Sequence, residues 1–196
     1  MPVAIEIPQE AVALPHKLWT RDECAVLERS GLVDLERYEL IDGELIQKMG
    51  KNHPHTRALR LLMSWLEDRF GRDYCLQESA IDLRPEDHPT SEPEPDAVVL
   101  NGPFLALSAQ PRPAELRLVV EVSSSTLYHD LVTKRNLYAR SGIVDYWVLD
   151  LEGRRLIVHR DPSEGVFRSI QAFQEHEFVS ALAVPDHEIR VGELLR

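Results

Sequence analysis

The sequence predicts a mixed α/β protein with a central β-sheet that contains strands of both directions and is flanked by helices. Two apolar runs joined by Asp42-Gly43 are typical of a β-hairpin. A long segment after Pro54 has apolar residues at helical spacing, which indicates an amphipathic helix. Residues 115–150 form a pattern of buried strand, short helix and buried strand. Together these patterns predict one mixed sheet with helices packed on it.

The N-terminal elements carry clear boundary signals. Thr20 and Glu23 form a capping box that starts a first helix, which ends near Gly31. The long helix has Pro54 at its first position and Gly71 beyond its end. The remaining predicted elements are strands over 74–83, 96–100, 118–122, 143–151, 155–159 and 166–170, a helix over 127–141, and loops over 84–94 and 101–115.

Composition is that of a soluble globular protein, with 43% apolar and 28% charged residues in a chain of 196. We predict a flexible N-terminal arm over residues 1–19 and a single domain over residues 20–196. The arm lacks a basic segment before its apolar residues, so it is a poor signal peptide. No run approaches the ~18 apolar residues of a membrane span. Cys24 and Cys75, the only cysteines, suit a reducing cytoplasm.

The net charge of −11 argues against indiscriminate binding to polyanions. A local basic patch is nevertheless sufficient for contact with phosphate groups. Lys48, Lys51 and Arg57, together with Arg60, form a candidate patch just after the hairpin. A solvated helix face explains the two arginines equally well.

Two acids at apolar strands are the main functional signal. Glu121 lies within the apolar run 118–122, where an unpaired charge would cost several kcal/mol. Asp96 begins the apolar run 96–100, and consecutive strands are usually neighbours. Adjacent carboxylates repel unless a cation neutralises them, and Mg²⁺ binds one or two carboxylates while keeping its waters. The pair predicts a divalent-metal site, whereas Glu121 alone also fits the exposed face of an edge strand.

A metal that activates water against a phosphodiester is assisted by a nearby cation. In many nucleases this cation is a lysine two residues after the second acid, but Ser123 stands there in this sequence. The following helix offers Lys134 and Arg135, and helical periodicity does not choose between them. The alternative for Lys134 is an exposed pair with Asp130.

An ordered set of residues resembles the signature of the Uma-two-type endonucleases, a group within the restriction-endonuclease-like PD-(D/E)xK superfamily. The matching residues are Glu121-Val122-Ser123-Ser124-Ser125, Asp130, Lys134, Tyr138-Ala139-Arg140, Gly142-Ile143 and Asp145-Tyr146-Trp147-Val148. Upstream, the resemblance extends through Pro95-Asp96, His55 and the hairpin residues Tyr38 to Glu44. It covers roughly residues 20–160 and implies a restriction-endonuclease-like fold.

The resemblance also implies roles for individual residues. Asp96, Glu121 and the backbone carbonyl of Val122 would hold Mg²⁺, with Mn²⁺ as an alternative. Members that resemble this chain carry their cation on the following helix, which favours Lys134. Glu44 matches an N-terminal acid that binds metal or orients a water, and its alternative is a charged residue that starts a hairpin strand.

Other candidates carry weaker signals. His55 matches a position near the mouth of the site, where it would touch phosphate or assist proton transfer; the alternative is a structural histidine at a helix start. His53 and His55 have no cysteine partner at zinc-site spacing. The serines at 123–125 lack a G-x-S-x-G elbow, and Pro185-Asp186 fits a turn.

We therefore expect a Mg²⁺-dependent endonuclease that hydrolyses phosphodiester bonds of nucleic acid, with DNA favoured as substrate. A homodimer is expected because related nucleases are often dimers. The first alternative is a catalytically silent nuclease-fold protein that serves as a binding or assembly module. A metal hydrolase acting on a small phosphoester is the second.

Overall fold

The computed structural model describes residues 16–196. The helices are α1 (Arg21–Ser30), α2 (His53–Phe70), α3 (Leu127–His129), α4 (Arg135–Ser141) and α5 (Val191–Leu194). The strands are β1 (Tyr38–Ile41), β2 (Glu44–Gln47), β3 (Cys75–Gln77), β4 (Ala97–Leu100), β5 (Leu116–Ser123), β6 (Asp145–Asp150), β7 (Arg155–Ser163), β8 (Val166–Gln174), β9 (Phe178–Val179) and β10 (Ile189–Arg190).

The central sheet has six strands in the order β3-β4-β5-β6-β7-β8. All neighbours are antiparallel except β5 and β6, which are parallel. A parallel pair needs a crossover connection, and the helical residues between β5 and β6 supply it. The mixed sheet with flanking helices confirms the predicted fold class.

Both faces of the sheet are covered. On one face, α2 packs Leu62, Leu66 and Trp65 against the sheet, and the Trp65 and Trp147 rings stack with centroids 5.9 Å apart. On the other face, Tyr138 of α4 meets Tyr146 edge to face at 4.9 Å. Two covered faces explain why β5 and β6 are almost continuously apolar in sequence.

Side-chain alternation then sets the direction of Glu121. Val120 and Val122 pack on the α2 side of the sheet, whereas Val119 packs on the α4 side. Since alternate strand residues share a face, Glu121 points with Val119 toward α4. That direction places its carboxylate beneath a helix and away from open solvent.

The first helix and the hairpin are confirmed, whereas the long helix begins at His53, one residue before the predicted Pro54. Thr20 caps α1 in a complete capping box with Glu23. In the β1–β2 hairpin, Asp42 (φ 51°) and Gly43 (φ 82°) both have positive φ, as a two-residue turn of this kind requires. Residues 1–15 of the predicted arm lie outside the described residues; within its last part, the Trp19 backbone N–H donates to the Gly43 carbonyl at 2.7 Å.

The strand predicted over 74–83 is mostly wrong. Only Cys75–Gln77 pairs in the sheet, because Glu78 adopts a positive φ of 51° and turns the chain away. Beyond it, the Ile81 backbone N–H donates to the carbonyl of the loop residue Pro93 at 3.1 Å. Ile81 is buried, so its apolar character reflects core packing and not a strand.

The C-terminal hairpin is longer than predicted, with β7 and β8 paired from Arg155–Gln174 to Ser163–Val166. Within residues 16–196, none of the helices combines the length and the apolar character needed to cross a membrane.

Candidate active site

A cleft of about 360 Å³ opens between the β1–β2 hairpin, the start of α2 and the ends of β4 and β5. Most of the residues singled out in the sequence line it. They are Asp96, Glu121, Val122, Lys134, His55, Lys48 and Lys51.

The register of β4 and β5 brings the two strand acids together. Ala97 pairs with Val120, so Asp96 lies one step before this pair and Glu121 one step after it on the neighbouring strand. The Val122 backbone N–H donates to Asp96 Oδ2 at 2.7 Å. Asp96 is therefore fixed to the end of β5, beside Glu121.

Lys134 lies between two buried acids. Its Nζ is 2.9 Å from Glu121 Oε1 and 2.9 Å from Glu39 Oε1. The exposed fractions of the three side chains are only 6% for Lys134, 5% for Glu121 and 10% for Glu39. The alternative in which Lys134 is an exposed cation paired with Asp130 does not describe this structure.

A π-helical turn, Asp130–Lys134, connects α3 and α4 and includes one of the two candidate cations. A π-turn contains more residues than an α-turn and changes the direction of the side chains that follow it. Lys134 is buried on the same side of the helical segment as Asp130 and Tyr138, whereas Arg135 bonds the side chain of the adjacent Asn136. The structure thus separates the two cations that helical periodicity left equivalent.

Tyr138 completes the environment of Glu121. Its hydroxyl donates to Glu121 Oε1 at 2.9 Å, the same oxygen that Lys134 contacts. Glu121 Oε2 has no hydrogen-bond donor among the described residues and belongs to a side chain that lines the cleft. One oxygen of this carboxylate is held by the protein and the other remains available to a ligand.

Burial dominates the electrostatics of the cleft floor. It raises the pKa of Glu121 well above the usual range, an effect that Lys134 opposes and Asp130 reinforces. Burial alone would lower the pKa of Lys134, but Glu121 and Glu39 together hold it well above its usual range. Lys134 is therefore a cation at neutral pH. It is surrounded by three acids, Glu121, Glu39 and Asp130, and carries only one positive charge.

Asp130 fixes the turn between β5 and α3. Its buried carboxylate accepts hydrogen bonds from the hydroxyl groups of Ser123 and Thr126, the latter at 2.8 Å. Ser123, at the position where many nucleases have lysine, is thus a structural donor. His129 beside it lines the cleft, and burial lowers its pKa.

His55 and the two predicted lysines take different positions around the cleft. His55 lies at the first turn of α2, with Nε2 3.2 Å from Asp96 Oδ1. Lys48 forms an ion pair with Glu94 at 2.7 Å, and Lys51 forms one with Glu78. Both lysines line the cleft, but each is already paired with an acid.

Glu44 and Arg57 are not brought to the cleft. Glu44 is exposed on the β1–β2 hairpin and lies 3.1 Å from His16. Arg57 is exposed on α2 and lines a different, smaller depression. The acid that the hairpin contributes to the cleft is Glu39, which also accepts the Glu94 backbone N–H at 2.6 Å.

Glu39 was missed in the sequence although a signal was present. It lies between Tyr38 and the apolar pair Leu40-Ile41, so it is an acid within a strand-like run. The same pattern identified Glu121. The resemblance drew attention to Glu44 instead, five residues further along the hairpin.

The donor set can be tested against the implied cation. Across residues 16–196, no group of three or more His, Cys, Asp and Glu side chains is arranged to hold a metal ion. That finding does not fit a structural zinc site, which needs four protein ligands. Mg²⁺ uses one or two carboxylates and keeps several waters, and Asp96 and Glu121 are two carboxylates that line the cleft.

Comparisons with known proteins show the family of the chain and support its fold. A sequence model of the Uma2 family, described as "Putative restriction endonuclease", matches residues 27–192. A solved structure described as a "putative nuclease belonging to DUF820" from Anabaena variabilis superposes with a TM-score of 0.65. It is 17% identical and the match covers 87% of this chain and 96% of that chain, which supports the fold. No curated protein matches the chain.

Proposed function

Since the chain belongs to the Uma2 family of restriction-endonuclease-like proteins, we propose that it is a divalent-metal-dependent endonuclease that hydrolyses phosphodiester bonds, with DNA as the favoured substrate. The observation that carries the proposal is the meeting of Asp96, Glu121 and Lys134 in one cleft. Two carboxylates can hold a divalent cation that activates water, and a nearby ammonium group can stabilise the negative charge that develops on the phosphoryl group.

The proposed ligands of the cation are Asp96, Glu121 and the backbone carbonyl of Val122. The Val122 N–H points at Asp96, and in an extended strand the N–H and carbonyl of one residue point to the same side. When bound, Mg²⁺ or Mn²⁺ would supply a water of lowered pKa and a Lewis acid for the phosphoryl oxygen.

The protein's own residues prepare the site for an anionic substrate. Lys134 remains charged and desolvated, so its attraction for the growing negative charge on a phosphoryl group is stronger than in water. Glu39 and Glu121 hold the Lys134 ammonium group from two sides, which reduces the reorganisation needed when substrate binds. Tyr138 holds Glu121 Oε1 and leaves Oε2 toward the cleft.

The direct test is cleavage of supercoiled plasmid and of single-stranded DNA and RNA with Mg²⁺ or Mn²⁺. We expect cleavage by the native protein and its loss in Asp96→Asn, which keeps the size of the side chain and removes its charge. Asp186→Asn is the matched control, because Asp186 is the aspartate of the other Pro-Asp dipeptide and is exposed far along the chain. Equal cleavage by all three proteins would indicate a contaminant.

Absence of cleavage on all substrates, together with Asp96-dependent binding of the metal, would favour a binding or assembly module with an intact cation site. Absence of both cleavage and metal binding would remove the proposal.

A further inference from the structure

We propose that His55 is a positioning residue for Asp96: its imidazole fixes the carboxylate so that Oδ1 is presented to the cation. The inference rests on the proposed metal-dependent function. It differs from the role expected for His55 at the mouth of the site, because within residues 16–196 the polar partner of its ring is Asp96 alone.

The contact is specific. His55 Nε2 lies 3.2 Å from Asp96 Oδ1 and 3.3 Å from Oδ2. The partners are carboxylate oxygens, which accept hydrogen bonds, so Nε2 is the donor. Nδ1 is buried and has no partner among the residues that the structure describes. All hydrogen bonding of the ring therefore acts on Asp96.

Asp96 is consequently held from two directions. The Val122 backbone N–H bonds Oδ2 at 2.7 Å from the strand side, and His55 contacts both oxygens from the side of α2. A carboxylate offers about four acceptor positions. The two donors leave positions on Oδ1 for a ligand while they restrict rotation of the group.

The position of His55 is itself determined by the start of α2. Asn52 caps the helix and accepts the His55 backbone N–H at 2.9 Å through its side-chain oxygen. The Asn52 side-chain NH₂ in turn lies 3.4 Å from the Ser124 hydroxyl in the β5–α3 turn. Through Asn52 and Ser124, the start of α2 that carries the imidazole is thus connected to the end of β5, the strand that carries Glu121.

Hydrogen bonds from outside the ligand set to a ligating carboxylate orient it, and their loss typically weakens metal binding about 10- to 100-fold. Here the side chain that orients Asp96 is 11% exposed, so water does not easily replace its hydrogen bond. Without His55, Asp96 would be fixed by the Val122 N–H alone, and the cation would have to order the carboxylate as it binds.

The experiment is calorimetric titration of the full chain with Mn²⁺ or Mg²⁺, in parallel with thermal unfolding with and without the metal. His55→Phe keeps an aromatic ring of similar size and removes the donor. His53→Phe is the matched control, since His53 is exposed one half-turn earlier in the same helix. His55→Gln restores an N–H donor and provides a second variant if the phenylalanine perturbs folding.

We expect His55→Phe to bind the metal about 10- to 100-fold more weakly, with His53→Phe unchanged and His55→Gln intermediate. Loss of the hydrogen bond to Asp96 should lower the Tm without metal, and the increase in Tm upon metal addition should also be smaller for His55→Phe than for the native protein. Unchanged or tighter binding by His55→Phe would overturn the positioning role and leave the proposed function standing. Absence of Asp96-dependent metal binding in the native protein would overturn both.

Discussion

The cleft contains two sets of ion pairs that differ mainly in their contact with water. The floor consists of Lys134 with Glu39 and Glu121, and its side chains are at most 10% exposed. The rim pairs are Lys48–Glu94 and Lys51–Glu78, whose side chains are 29–42% exposed. The N–O distances of the two sets of ion pairs are similar, but their exposure to water differs. Similar distances therefore do not imply similar contributions to stability.

Exposed ion pairs contribute about 0–1 kcal/mol each, because water and salt screen them and the long side chains lose freedom. Removing one member of a buried pair costs far more, since the remaining charge has neither solvent nor partner. The floor is therefore a fixed part of the fold, whereas the rim pairs hold their lysines only weakly.

The largest expected effect is that of Lys134→Met. The variant leaves Glu39 and Glu121 buried without their cation, and we expect a loss of about 3–5 kcal/mol in the free energy of unfolding. Urea denaturation measures it. Arg135→Met is the matched control, because among the described residues the Arg135 side chain bonds that of the neighbouring Asn136 alone, and its loss should change stability by less than about 1 kcal/mol.

The same variant gives a test through pH. Burial raises the pKa of Glu121 in the folded protein, so this group favours the fold below its unfolded pKa and loses that contribution as pH rises through the folded value. Without Lys134, the ionised form of Glu121 has no cation beside it, so ionisation of Glu121 destabilises the folded protein more strongly. We expect Lys134→Met to be more strongly destabilised at about pH 8 than at about pH 5; a loss independent of pH would contradict this account of the floor.

A smaller loss is expected for Tyr138→Phe, which removes the hydroxyl donor to Glu121 and retains the ring against Tyr146. Hydrogen bonds to charged groups contribute about 1.5–3 kcal/mol. Tyr146→Phe is the internal comparison, because its hydroxyl donates to the neutral carbonyl of Asp130 at 3.0 Å, a bond of about 0.5–1.5 kcal/mol. If the two variants lose equal free energy of unfolding in denaturant, the hydrogen bond from Tyr138 to Glu121 is no stronger than a bond to a neutral carbonyl.

The structure and the sequence-based expectation assign the hairpin's contribution to the site to different acids, Glu39 and Glu44. Glu39→Gln should weaken metal binding or cleavage by about tenfold, since Glu39 holds Lys134 beside Glu121. Glu44→Gln should have a much smaller effect, because Glu44 is exposed and paired with His16. A larger effect at Glu44 in the same titration would restore the role that the family resemblance implies for it.

Structural features that depend on residues close together in the chain could be predicted from the sequence, whereas features that depend on distant residues could not. The capping box at Thr20, the Asp42-Gly43 turn and the apolar alternation depend on neighbours within a few residues, and all were correctly located. The strand predicted over 74–83 depended on partners far away in the chain. In the second half of this segment the backbone N–H groups donate to carbonyls of loops and not of strands. The apolar character of the segment does not distinguish a strand from a buried loop.

The site divides in the same way. The acids Asp96 and Glu121 could be found because a charge inside an apolar run is unusual wherever the run lies. The choice between Lys134 and Arg135 required the positions of Glu39 and Glu121, which are distant in sequence and pair with Lys134 in the structure. Pairing of the rim lysines with Glu94 and Glu78 could not be inferred, since those glutamates lie in loops with no periodic pattern.

The smallest expected effects are those of the rim pairs, and they test whether the rim serves binding. Lys48→Gln and Lys51→Gln should each change the free energy of unfolding by no more than about 1 kcal/mol. In an Asp96→Asn background, which prevents cleavage, each should lower the salt dependence of duplex DNA binding by about 0.9 in the slope of log K against log salt. Glu94→Gln and Glu78→Gln should strengthen binding, because they release the lysines from their internal partners. A strong loss of stability in Lys48→Gln, or weaker binding in Glu94→Gln, would show that the rim pairs are structural like the floor.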